Sequence, residues 1–119
     1  MKVIIRKKGL EQVVIITFHT RTEKFDSDYE RNKFFRGLHG WKQMVPGENK
    51  RYLYKRTGLL DEIPHAKIAD SVFMVAIENM RRVMEYFDQW ENKIDYEMTD
   101  VMMEREKLKR LFRQTLSEE

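Results

Sequence analysis

The densest chemistry in the chain is the run Lys50, Arg51, Tyr52, Leu53, Tyr54, Lys55, Arg56, which sets four cations and two phenol rings in one strand-length segment. Lysine and arginine neutralise phosphates and release their counterions, and tyrosine rings offer planes on which bases stack. The run therefore points to DNA or RNA. Arg31, Lys33 and Arg36 carry the same charge on a neighbouring segment, with Arg21, Lys24 and Lys42 around them. A structural reading stands beside this one, because edge strands carry Lys and Arg to discourage aggregation and tyrosine is a good strand former.

Asp61, Glu62, His65 and Asp70 are the one carboxylate and histidine cluster that falls inside a connection. Oxygen and imidazole groups so close in sequence can hold a divalent cation if the chain curls round it. Their spacing matches no established ligand pattern, and the interleaved Leu59, Leu60, Ile63 and Ile68 predict a segment that packs down as a cover. No metal is assigned. His19 ends a predicted strand without a second histidine to complete a catalytic set, and His39 reads as a helix C-terminal residue favoured by the dipole. There is no glycine-rich phosphate loop, no Ser/His/Asp grouping and no HExxH, and with zero cysteines there is no thiol nucleophile. No catalytic residue and no cofactor are assigned.

A third group lies near the end: Met98, Met102 and Met103, then Leu108, Leu111 and Phe112. Flexible methionines followed by an amphipathic stripe suit a contact surface between subunits. Arg105, Leu108, Leu111 and Phe112 also form R-x-x-L-x-x-L-F. This is similar to a degenerate peptide of the kind that plugs into sliding clamps, without its leading glutamine and paired aromatics.

These groups sit in a chain of 119 residues, which is one domain's worth, with 36% charged residues. The net charge of +3 conceals an asymmetry: residues 1–56 hold 14 Lys/Arg against 6 Asp/Glu, hence +8, and residues 57–119 hold 9 against 14, hence −5. A basic half beside an acidic half fits a polyanion-binding face, or self-association in which unlike halves meet. Val13–Ile16 and Val72–Ile77, the longest apolar stretches, fall far short of the roughly 20 residues a bilayer span needs. No secretory signal follows the basic start, so a cytoplasmic location and no membrane partner are expected.

The elements follow from periodicity. Val3 to Ile5 predict a short strand, Gln12 to His19 a second, and Ser27 with Glu30 a capping box opening a helix with Phe34, Leu38 and Trp41 at helical intervals and Gly37 and Gly40 marking its end. Arg51–Arg56 alternates weakly as a half-exposed strand. A connection over 57–71 leads to the strand Val72–Ile77, then a helix over Glu78–Trp90. Ile94–Met98 alternates as an edge strand, and a last helix starts at Asp100 or Glu104 and reaches Leu116. From Gln12 the order is that of an α+β, ferredoxin-like βαββαβ sheet with an extra N-terminal strand and a C-terminal helix. The two wholly apolar runs fall on its central strands, and the alternating segments, Arg51–Arg56 and Ile94–Met98, on its edges. Two helices cover one face of such a sheet. The other must be covered by the C-terminal helix, by a second copy of the chain, or by both. The place of the strand over Met1–Lys7 is left open.

With that order, Ser71, Val72 and Phe73 on the third strand, followed by an amphipathic helix and a short fourth strand, resemble the small dimeric ferredoxin-like proteins of CRISPR spacer acquisition and the VapD toxins. The sequence is also similar to small archaeal proteins. The resemblance covers residues 12–98 and implies a dimer with basic surfaces that meet DNA or RNA. It also implies, for nuclease members, an acidic residue at the end of the first strand. That end here reads Thr17, Phe18, His19, Thr20, which speaks against cleavage. The expectation is a non-enzymatic, homodimeric nucleic-acid-binding protein. The alternatives are a protein-interaction or small-ligand regulatory module and a metal-dependent nuclease.

Overall fold

The computed structural model describes residues 9–117, with side chains to Phe112. The strand expected over Met1–Lys7 lies outside the described residues. The chain runs β1 (Leu10–Thr20), α1 (Asp28–His39), β2 (Trp41–Gly47), β3 (Lys50–Arg56), β4 (His65–Ala69), β5 (Val72–Ala76), α2 (Met80–Asp88), β6 (Ile94–Glu104) and α3 (Arg105–Ser117). It is a mixed α+β protein with two antiparallel sheets: four strands in the order β4-β5-β1-β6, and a separate β2-β3 ribbon.

The two apolar runs occupy the middle of the larger sheet, as expected, because each must bury side chains on both faces. On one face Val14, Ile16, Phe18, Phe73 and Val75 pack with Phe34, Leu38, Val83 and Phe87 from α1 and α2. Aromatic rings fill much of this layer, with Phe18 edge-on to Phe34 at 5.5 Å and to Phe87 at 5.7 Å. On the opposite face Val13, Ala66 and Met74 pack with Leu108, and Ile15, Val101, Met103, Leu111 and Phe112 surround them. The chain's own tail helix supplies the second cover.

Local signals explain the helix α1. The Ser27 Oγ accepts the Glu30 N–H at 3.1 Å, and the Glu30 carboxylate accepts the Asp26 N–H, which satisfies donors that the first turn leaves orphaned. Gly40, at φ +79°, ends the helix. Trp41 therefore opens β2 rather than closing α1, a correction to the helical stripe drawn through it.

The second edge strand is also corrected. Arg51–Arg56 is a strand but not part of the four-stranded sheet; that edge is β4, inside the segment read as a connection. Its five residues bury only His65 and Ala66, and its register shifts between Lys67 and Ala69, so it has no period to recognise. At the other edge β6 runs on to Glu104, six residues past Met98, because it pairs with β1 along its whole length down to Leu10. The last helix accordingly starts at Arg105, whose N–H donates to the Gly9 carbonyl at 2.9 Å.

The β2-β3 ribbon stands away from the sheet, with one residue, Val45, reaching even half burial. A compact 119-residue chain has a radius of gyration of about 13.5 Å, whereas this one measures 16.6 Å and extends 57 Å along its longest axis. The end of α1 and the turn after β3 hold the root of the ribbon, and the ribbon carries Lys42, Lys50, Arg51, Lys55 and Arg56.

Candidate nucleic-acid interface

In an antiparallel pair, residues directly opposite share a face. The register therefore sorts the ribbon. One face holds the pairs Trp41–Arg56, Gln43–Tyr54, Val45–Tyr52 and Gly47–Lys50; the other holds Lys42–Lys55, Met44–Leu53 and Pro46–Arg51. All three aromatic residues fall on the first face. Tyr52 and Tyr54 are 47% and 48% exposed, with ring centroids 6.5 Å apart. Arg56 donates Nε–H to the Gln43 side chain at 2.8 Å and lies over the Tyr54 ring, 5.6 Å from its centroid. Met44 and Leu53, on the second face, are 55% and 59% exposed.

The helix cations divide. Residues 29, 33 and 36 fall within about 60° of one another at 100° per residue, so Tyr29, Lys33 and Arg36 share an exposed stripe of α1. Arg36 continues it onto the ribbon, its guanidinium 5.5 Å from the Trp41 ring centroid. Arg31 points elsewhere. It is half-buried against the Phe35 ring at 5.3 Å, and its Nε is a buried donor without a partner among the described residues.

Several cations elsewhere are neutralised by acidic partners. Arg21 grips Asp95 through two bonds of 2.7 Å, Arg82 pairs with Glu62, Lys93 with Glu30, and Arg105 with Glu11. Among the described residues Lys33, Arg36, Lys42, Lys50, Arg51 and Arg56 have no such partner. Lys42 stands directly opposite Lys55 on the ribbon, a like-charge pairing that costs stability. Lys55 is steadied by Asp61, whose carboxylate lies 3.4 Å away.

Asp61, Glu62, His65 and Asp70 serve the scaffold. Asp61 accepts the Gly58 N–H at 2.8 Å, Glu62 pairs with Arg82, buried His65 meets the Ile63 carbonyl through Nδ1, and Asp70 pairs with Lys67. Among the described residues no three His, Asp or Glu side chains converge as a cation site. His39 is held by burial rather than by the dipole: its Nε2 lies 2.9 Å from the Asp70 carbonyl, and desolvation lowers its pKa below the ordinary histidine value. His19 is exposed on β1, opposite Asp95.

Of the expected contact surface, Met98 and Met102 are exposed on β6, while Met103, Leu108, Leu111 and Phe112 pack under α3 against the sheet. The clamp-like apolar positions are thus turned inward. Sequence reasoning missed Trp41, Gln43 and Met44. The turn signals at Pro46, Gly47 and Asn49 between two runs of strand length could have paired β2 with β3. Among the described residues no helix is long and apolar enough to cross a membrane. No family model, curated protein or solved structure matches this chain.

Proposed function

We propose that this protein is a non-enzymatic nucleic-acid-binding module in which a ferredoxin-like sheet displays the β2-β3 ribbon as a basic arm. One observation carries the reading: among the described residues Lys33 and Arg36 on α1, and Lys42, Lys50, Arg51 and Arg56 on the two faces of the ribbon, have no acidic partner, and Lys42 stands directly opposite Lys55. A fold that tolerates such repulsion is suited to a polyanion, which removes it on binding. The resemblance drawn from Ser71, Val72 and Phe73 to CRISPR spacer-acquisition subunits and VapD toxins implies the same class of ligand.

The test is binding of labelled oligonucleotides by fluorescence anisotropy across a salt series. Changing Lys42, Lys50 and Arg51 together to Ala should weaken binding and lower the log–log salt slope by about 2 to 3. An unchanged slope would remove the ribbon from the interface.

A second reading, as an interaction module, rests on β6. This strand has no partner on its outer edge among the described residues, exposes Met98 and Met102, and carries Asp95, Glu97, Asp100 and Glu104 with no cation over 94–104. Such an edge suits a basic strand, and the ribbon of a second copy supplies one, which would close a homodimer. Light scattering decides it: a dimer that Glu97→Lys with Asp100→Lys converts to monomer supports the exchange, and a monomer at all concentrations discards it.

A further inference from the structure

We propose that the aromatic face of the ribbon stacks unpaired bases, so that the ligand is single-stranded nucleic acid; the inference rests on the nucleic-acid reading above and specifies it. The ribbon's two faces are chemically distinct. Trp41, Tyr52 and Tyr54 all lie on one, while Met44 and Leu53 lie on the other.

The rings are presented rather than tucked away. A Cβ placed on Gly47 would stand 2.5 Å from Cε2 of Tyr52, so the bare glycine leaves room for the Tyr52 ring, which is 47% exposed. Tyr54 is backed by the Arg56 guanidinium, a flat cation that stacks on rings and reaches for phosphate. The two ring centroids lie 6.5 Å apart with their planes tilted by 37°, the spacing of alternate residues on one strand, so each ring offers its own plane rather than a shared slot. Two half-exposed rings on one face let successive bases of a single strand each stack on a separate ring. Lys50, on the same face near the turn, is placed to hold the backbone.

A duplex does not fit this face. Its bases hide their planes inside the stack, and only base edges and phosphates reach a protein. Exposed planes beside cations are the device of single-strand recognition, where stacking tolerates any sequence because every base has a flat face.

The experiment compares a fluorescein-labelled 12-nucleotide single strand of mixed sequence with its duplex, at one ionic strength, by anisotropy. The wild-type chain should bind the single strand more tightly. Tyr52→Leu with Tyr54→Leu should weaken that binding by at least about 10-fold. The Phe pair at the same positions keeps the ring planes and should bind within a few-fold of wild type, which excludes a general effect of altering the ribbon. Equal or tighter binding of the duplex, or Leu variants that bind the single strand like wild type, overturns the stacking proposal. If the salt slope still falls when Lys42, Lys50 and Arg51 are changed, the arm reading survives that failure. No salt-sensitive binding of either oligonucleotide by the wild-type chain overturns both.

Discussion

Gly40 and Gly58 meet at the root of the ribbon, between the end of α1 and the turn that follows β3: a Cβ on Gly58 would stand 2.3 Å from the Gly40 nitrogen, and one on Gly40 would stand 2.5 Å from the Arg56 carbonyl oxygen. Gly40 also holds φ +79°, which a side chain resists. Asp61 closes the same root by accepting the Gly58 N–H, and that carboxyl side chain is 7% exposed. An isolated two-stranded ribbon is marginal in water, so its direction depends on this joint.

Gly58→Ala therefore forces backbone apart rather than a flexible side chain. It should cost about 2–3 kcal/mol, the upper end of ordinary substitutions, in urea unfolding. Trypsin should also cut faster after Lys42 and Lys55. An unchanged unfolding midpoint would mean that the strands separate at no cost and that the joint does not aim the arm.

Gly37 and Tyr86 form a second close pair with the opposite remedy. The Tyr86 hydroxyl donates to the Phe34 carbonyl at 2.6 Å, burial pushes its pKa up to about 12, and a Cβ on Gly37 would lie 2.3 Å from that oxygen. Gly37→Ala should destabilise the wild-type chain, although Ala is favoured over Gly inside a helix by about 1 kcal/mol. In a Tyr86→Phe background the colliding oxygen is gone, and the nearest ring atom is 3.1 Å away. There Gly37→Ala should cost markedly less than in the wild-type chain, because the ring need yield by only a few tenths of an ångström. A double-mutant cycle by thermal or urea unfolding reads the coupling, and additive effects would deny the contact.

How far these features could be read in advance follows from burial. Val13–Ile16 and Val72–Ala76 lie under helices on both sides, so they read as unbroken apolar runs and their central place was legible. The cover over Val13 and Met74 was legible as a need, and Leu108 with Leu111 as one candidate to meet it. β4 was not legible, because Ala66 is buried while the larger Ile68 is 59% exposed, the reverse of what hydrophobicity suggests. The basic run was recognised as a strand, yet with every residue of it exposed nothing in the pattern says which strand it pairs with. Trp41 follows Leu38 at helical spacing, but Gly40, legible as a mark of the helix's end, takes φ +79° and stops α1 before it.

His39 makes stability depend on pH. Desolvation is the largest influence on it and lowers its folded pKa, and the neighbouring Lys67 and His65 act in the same direction against the Asp70 carbonyl and carboxylate. The unfolded chain thus binds a proton at a pH where the folded chain does not. The contribution is fully present above the unfolded value, about 6.5, and is lost as the pH falls from there toward the lowered folded value. Urea unfolding at pH 7.5 and at pH 5.5 should show this decline, and His39→Gln should flatten it while the carboxylates titrate unchanged. An identical decline in the variant would assign the effect to other groups.

The tail helix carries the last prediction. Leu108 is nearly buried against Val13, Ala66 and Met74, which are themselves 0–4% exposed. Leu108→Ala keeps helix propensity and removes packing alone, so it should cost about 2–4 kcal/mol. Ending the chain at Glu104 goes further, because it uncovers Val13, Ile15, Met74 and Val101 as one apolar patch on the sheet. Proteins seldom leave such a patch in water, so the shortened chain should self-associate where the full chain does not to the same extent. Light scattering of the two chains at matched concentration checks this. A shortened chain that shows the full chain's assembly state and melts at the full chain's temperature would mean that α3 is not the cover of this face.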